Sequence, residues 1–194
     1  MDNKTATTPE EGKKQSVKTK KNLTKEIAYT GLAAAILCVL APLSIPIGPV
    51  PLTLATLAVF FVSASLGWKK GTIAVIVYIL LGLTGLPVFS SFNGGVGVVA
   101  GPTGGYIVGY IPCAFLTGLL VDLFGKHKFV YPLAMVAGLA ACYLFGTIWF
   151  SISQQVTFVA ALSTCVVPFL VFDSIKIVAA SALSIIIRGI VFKK

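Results

Sequence analysis

The sequence predicts an all-α integral membrane protein, a six-helix bundle with both termini in the cytoplasm. Three observations lead there. First, 57% of the 194 residues are hydrophobic and 11% are charged, against about 25% charged in a soluble domain. Second, the basic residues fall into four clusters separated by long apolar runs. Seven of the 15 lie in the first 25 residues, followed by Lys69 and Lys70, then Lys126 and Lys128, then Arg188, Lys193 and Lys194; only Lys176 stands apart. Third, cytoplasmic loops carry the Lys/Arg excess, so each interval between clusters must leave the cytoplasm and return. Three intervals make six spans. The net charge of +9 is thereby assigned to topology, and no nucleic-acid partner is expected.

Residues 1–22 are polar, rich in Thr, Lys and Glu, and lack hydrophobic periodicity. They read as a disordered cytoplasmic tail, with residues 23–194 as the transmembrane domain. The first span is expected from about Leu23 to Ala41 and carries the small residues Ala28, Gly31, Ala34 and Ala35. Such a strip lets another helix approach closely in lipid, either within the bundle or from a partner subunit. Pro42, Pro46, Pro49 and Pro51 forbid a helix beyond it, which makes a tight external loop. The second span follows from about Leu52 to Leu66 and returns at Trp68-Lys69-Lys70.

The third span is expected from about Gly71 to Leu86. After it, residues 87–106 are apolar yet too rich in Gly and Pro for one continuous helix. Irregular backbone of this kind is tolerated where it lines a cavity, so the segment is read as a lid over a small ligand. Gly95, Gly97 and Gly101 have GxGxxxG spacing, not the dinucleotide GxGxxG, and no βαβ pattern surrounds them. The fourth span runs from about Thr103 to Phe124, with Gly101, Gly105 and Gly109 repeating every four residues as a close-packing strip. Asp122 reads as a solvated interfacial charge, and His127 as part of a topology-setting turn.

The fifth span covers roughly Phe129 to Phe150, and the aromatic residues Tyr143, Trp149 and Phe150 suit either an interfacial belt or ligand stacking. The sixth runs from about Ser163 to Ile187 and contains Asp173 and Lys176. On a helix, i and i+3 share a face. A charge near a bilayer centre costs about 2.5–3.5 kcal/mol on the insertion scale, so two together point to a polar interior site. Either they neutralise each other structurally, or the carboxylate accepts from a ligand while the ammonium donates to it.

Several chemistries are absent. The sequence has no GxxxxGK[ST] phosphate loop, no HExxH and one histidine. No catalytic role, metal or cofactor is expected. Cys38, Cys113, Cys142 and Cys165 form no CxxC pair and read as small hydrophobes.

Pro46-Ile-Gly-Pro-Val-Pro51, Leu86-Pro87-Val-Phe89, Gly101-Pro102-Thr-Gly-Gly-Tyr106 and Asp173-x-x-Lys176 together resemble the BioY family, the biotin-specific substrate-binding (S) components of energy-coupling factor (ECF) vitamin transporters. The resemblance runs from about residue 27 to the C-terminus. It implies a multi-pass subunit of the cell membrane that captures biotin from outside. A transmembrane coupling subunit and two ATP-binding cassette ATPases, all separate chains, would energise uptake. It also implies docking of that coupling subunit on Gly31, Ala34 and Ala35 of the first span. Biotin has a ureido carbonyl flanked by two N–H groups, so Asp173 is expected to accept from it and Lys176 to donate. The opposite pose, with Lys176 on the valerate carboxylate, stays open. Asn93, Gly94, Gly95 and Val96 are expected to close the site from the lid, with Tyr106, Thr53 and Tyr143 as further contacts. Two other readings are a stand-alone secondary carrier for a small vitamin-like solute, its ion pair a proton relay, and a structural subunit whose pair binds nothing.

Overall fold

The computed structural model describes residues 9–47 and 50–191, with side chains described for residues 23–47 and 50–190. The first eight residues of the expected tail, Pro49 of the proline cluster, and Lys193 and Lys194 of the last basic cluster lie outside them. Eight α-helices, two short 3-10 turns and one hairpin of two two-residue strands are the regular elements of the described chain. Among the described residues, four segments are long and apolar enough to cross a bilayer: Leu23–Leu40, Gly104–Phe124, Val130–Gln154 and Phe158–Ile190, the last of them interrupted.

Helix α1 spans Pro9–Leu40 and so reaches back across the expected boundary at residue 22. Proline in a first turn lacks only an N–H that would have no intrahelical partner. Within the apolar part of α1 only 17% is buried in the bundle, so this helix is peripheral. The chain then forms a hairpin of β1 (Ser44–Ile45) and β2 (Leu52–Thr53), paired antiparallel with Ser44 opposite Thr53.

Helix α2, Ala55–Leu66, is the centre of the protein. Its Ala58, Val59, Phe60 and Ala64 are fully buried, as befits a helix apolar all round. Twelve residues rise only about 18 Å, so the expected second span is short. Its N-terminal share, Leu52 and Thr53, went to the hairpin. A single residue, Gly67, turns the chain into α3, Trp68–Leu83.

The Gly/Pro-rich segment holds a 3-10 turn, Ser90–Phe92, and the five-residue helix α4, Val96–Ala100. Gly95 has φ +94, a left-handed conformation open to glycine at little cost, and its N–H donates to the Gly82 carbonyl at 2.7 Å. Helices α5, Gly104–Phe124, and α6, Val130–Gln154, then form the tightest pair. A Cβ on Gly105 would lie 2.2 Å from the Trp149 Cβ, and one on Gly146 2.3 Å from the Tyr106 ring. The predicted strip holds at Gly105 and Gly109. Gly101 instead contributes its carbonyl, which accepts from Trp149 Nε1 at 2.9 Å.

The expected sixth span is broken. Helix α7, Phe158–Cys165, gives way to a 3-10 turn, Val167–Phe169, before α8, Leu170–Val191. Pro168 sits in that turn; it removes a backbone donor and clashes with the preceding turn of any continuous helix.

The two ends of the bundle differ. At one end lie the hairpin and the glycine-rich segment. At the other, Lys70 meets Glu26 at 3.4 Å, and Arg188 pairs with Asp122. Asp122 also accepts from the Trp68 N–H at 3.0 Å, and Arg188 donates to the Ala64 carbonyl at 3.1 Å. Asp122 is thus a capping and pairing group that ties α2, α3, α5 and α8 together, not merely a solvated charge.

Candidate ligand site

The break at Pro168 places Asp173 in the first turn of α8, where the helix dipole favours a negative charge. Lys176 follows one turn later, and its Nζ lies 2.7 Å from Asp173 Oδ1. Both are buried, 3% and 7% exposed. Removing two such charges from water costs several kcal/mol per ion, repaid only when hydrogen bonds satisfy the remaining sites. Here they do. Thr56, in the first turn of α2, donates to Asp173 Oδ1 at 3.2 Å and accepts from Lys176 Nζ at 3.1 Å. Tyr143 of α6 donates a short hydrogen bond to Asp173 Oδ2. Three helices therefore converge on one ion pair.

The inventory leaves capacity over. An ammonium has three N–H donors and a carboxylate about four acceptor positions. The contacts above occupy two of the first and three of the second. Beside them, the Tyr106 hydroxyl is buried and makes no hydrogen bond within 3.5 Å, with Thr147 and Cys165 as polar neighbours. A buried hydroxyl left so costs about 1–3 kcal/mol. A ligand that accepts from Lys176 and donates to Asp173 would use this surplus.

A cavity of about 40 Å³ lies against the pair, with Thr53, Thr56, Tyr106, Tyr143, Asp173 and Lys176 in its wall. A second, of about 30 Å³, shares Thr53, Tyr106 and Tyr110 with it and reaches Ser90 and Thr103. Five of the residues expected from sequence thus meet in one place: Asp173, Lys176, Thr53, Tyr106 and Tyr143. Asn93, Gly94, Gly95 and Val96 do not line either cavity. Asn93 is exposed and its amide donates to the Ser90 carbonyl at 3.0 Å, while Val96 is 65% exposed.

Sequence reading missed Thr56, Tyr110 and Cys142, which also line the site. The available signal was Thr53 and Thr56, two hydroxyls three residues apart at the head of an apolar helix. On α1, Gly31 and Ala35 face outward, whereas Ala34 is 3% exposed and packs into the bundle. Ala34 is therefore a core contact, unavailable to a docking subunit.

A helical membrane bundle with a buried ion pair, unspent hydrogen-bonding capacity and a small interior cavity defines a membrane-embedded binding protein for a small polar-headed ligand. The BioY family model matches residues 10–192. A biotin transporter BioY of Thermotoga maritima is 44% identical over 163 residues, covering 83% of this chain and 94% of that protein. A probable biotin transporter BioY of Pyrococcus horikoshii is 37% identical over 165 residues, covering 85% and 97%. Among solved structures, the S-component for biotin from an ECF-type ABC transporter superposes with a TM-score of 0.78 at 29% identity, covering 88% of this chain and 92% of that one. The chain belongs to the BioY family.

Proposed function

We propose that this protein is the biotin-binding S component of an ECF-type transporter in the cell membrane, and that Asp173 and Lys176 hold the ureido ring. The buried Asp173–Lys176 pair, with donor and acceptor capacity side by side, carries this reading. A ureido group presents one carbonyl to Lys176 and an N–H to Asp173, and the buried site stays neutral overall. A valerate carboxylate on Lys176 would leave a net negative charge beside Asp173. Burying an unbalanced charge costs several kcal/mol, so the ureido pose is preferred. Tyr106 supplies its unpaired hydroxyl to the same ligand.

The basic end of the bundle is the cytoplasmic one by the positive-inside rule, which gives six passes with α2 and α3 as one short hairpin and the α7–α8 unit as the sixth. The ligand then arrives at the hairpin end. The two enclosed cavities are well below the roughly 300–1,000 Å³ of ordinary ligand pockets, whereas an open groove of about 540 Å³ between the hairpin and α8 reaches Thr53 and Lys176. Enclosing biotin at the buried pair therefore calls for movement of the hairpin and of the segment bearing Asn93, Gly94, Gly95 and Val96, which serves as the lid. The outward face of α1, with Gly31 and Ala35 flanked by Leu32 and Val39, docks the coupling subunit, and two separate ATPases energise uptake. The chain itself hydrolyses no ATP.

Two assays test this. Labelled biotin should bind detergent-purified protein one to one. Uptake into liposomes should require the coupling subunit and ATPases; uptake by this chain alone would favour a secondary carrier, and no binding a structural subunit.

A further inference from the structure

The turn Gly125-Lys126-His127-Lys128-Phe129 joins α5 to α6 at the basic end of the bundle. An apolar groove of about 530 Å³ opens beside it. Its walls include Leu120 and Leu123 of α5 and Leu133 and Ala134 of α6, with Lys126 and His127 at the rim. The site described above makes no use of it, for Asp173 and Lys176 lie towards the opposite end of α8 from Arg188.

Three observations bear on what fills this groove. Charge comes first. Asp122, the nearest acidic residue along the chain, is already committed to Arg188 and to the Trp68 N–H. The Lys126 ammonium therefore stands at the groove rim, with Lys128 two residues on in the same turn, and neither is in an ion pair with a carboxylate among the described residues. Depth comes second. Helices α5 and α6 have 21 and 25 residues, about 31 and 37 Å at 1.5 Å per residue, enough to cross a hydrocarbon core of roughly 30 Å. Their shared turn lies at headgroup level. Third, the walls face lipid: Leu123 is 61% and Leu133 69% exposed.

We propose that this groove binds an anionic glycerophospholipid, with its phosphate between Lys126, His127 and Lys128 and an acyl chain along the α5–α6 seam. Basic rims over apolar clefts between spans suit lipids with a net negative headgroup. A zwitterionic headgroup brings its own cation to the lysines and loses most of the attraction. The site rests on the placement of this family in a membrane, not on the biotin reading.

The full-length protein in mild detergent, titrated with phosphatidylglycerol or phosphatidylcholine and followed by native mass spectrometry, tests the proposal. One phosphatidylglycerol should be retained at least tenfold more tightly than phosphatidylcholine. The preference should vanish in K126Q/K128Q and persist in K69Q/K70Q, which removes the same charge from the start of α3. V130W, which fills the groove at constant charge, should lose the lipid as well; circular dichroism and thermal unfolding report whether each variant is folded. Equal retention of both lipids by the wild type, or equal loss from both double-lysine variants, would overturn the proposal. So would protection of the 125–129 turn by a coupling subunit with no lipid preference. Biotin binding is read separately, so its failure leaves the lipid result standing.

Discussion

Thr56 and Lys176 are 120 residues apart in sequence, yet the Lys176 ammonium donates to the Thr56 hydroxyl at 3.1 Å. The same hydroxyl donates onward to Asp173 at 3.2 Å. A hydroxyl can do both at once, having one hydrogen and two lone pairs. Thr56 therefore fixes the angle between acid and base, and with it the direction in which the unused ammonium hydrogen points.

Replacing Thr56 by Val keeps the shape and removes both bonds. Hydrogen bonds to charged groups contribute about 1.5–3 kcal/mol, and 1.4 kcal/mol is tenfold in affinity. Calorimetry should show biotin binding to T56V weakened about tenfold or more, and to T56S nearly unchanged. Equal affinities for T56V and wild type would remove Thr56 from the site.

The ion pair should behave as a unit. Removing one partner of a buried pair costs about 3–5 kcal/mol because the other charge is stranded, whereas removing both can be nearly neutral. Thermal unfolding in detergent should therefore rank D173N and K176M as the least stable variants, with D173N/K176M recovering most of the loss. Additive losses would mean that the two charges act independently.

Tyr106 gives a different signature, because its buried hydroxyl makes no hydrogen bond within 3.5 Å, with Thr147 and Cys165 as polar neighbours. Y106F should unfold at the wild-type temperature or slightly above. Its biotin affinity should fall roughly two- to tenfold, the worth of one neutral hydrogen bond. A clear loss of stability with unchanged affinity would contradict a ligand role.

The far end of the bundle should separate from the site. Asp122 caps α3 through the Trp68 N–H and pairs with a partly exposed Arg188. A lost cap and a partly solvated pair together amount to about 1–2 kcal/mol, or roughly 2–8 °C for a chain of this size. D122N should show that drop and bind biotin within twofold of wild type.

The enclosed cavities of about 40 and 30 Å³ are too small for biotin, so a ligand held there moves the lid. Amide exchange should slow on binding in residues 50–53 and 85–103 and stay unchanged in residues 118–134. Uniform slowing across the chain would place the conformational change elsewhere.

The membrane class, and the gathering of Lys70 and Arg188 at one end of the bundle, were legible because hydropathy and charge are read residue by residue. Asp173 and Lys176 were legible because a charged pair in an apolar run is costly wherever it folds. Tertiary facts were less so. Thr56 became a site residue only through partners 117 and 120 positions away. Pro168 was visible in sequence, but the apolar run around it masked the break that sets Asp173 in a first turn. Ala34 and Ala35 look alike in a small-residue strip, and only the helix phase against α3 separates inside from outside. Asn93 was placed in the lid by resemblance alone, and its amide donates within the local turn to the Ser90 carbonyl, a bond that sequence does not display.

The most direct test is biotin calorimetry on purified wild type and Lys176→Ala. The wild type should bind one biotin per chain, and K176A should lose roughly ten- to a hundredfold in affinity, as expected for about 1.5–3 kcal/mol from one hydrogen bond to a charged group. Wild-type protein that binds no biotin, or a folded K176A that binds it equally well, would contradict the account.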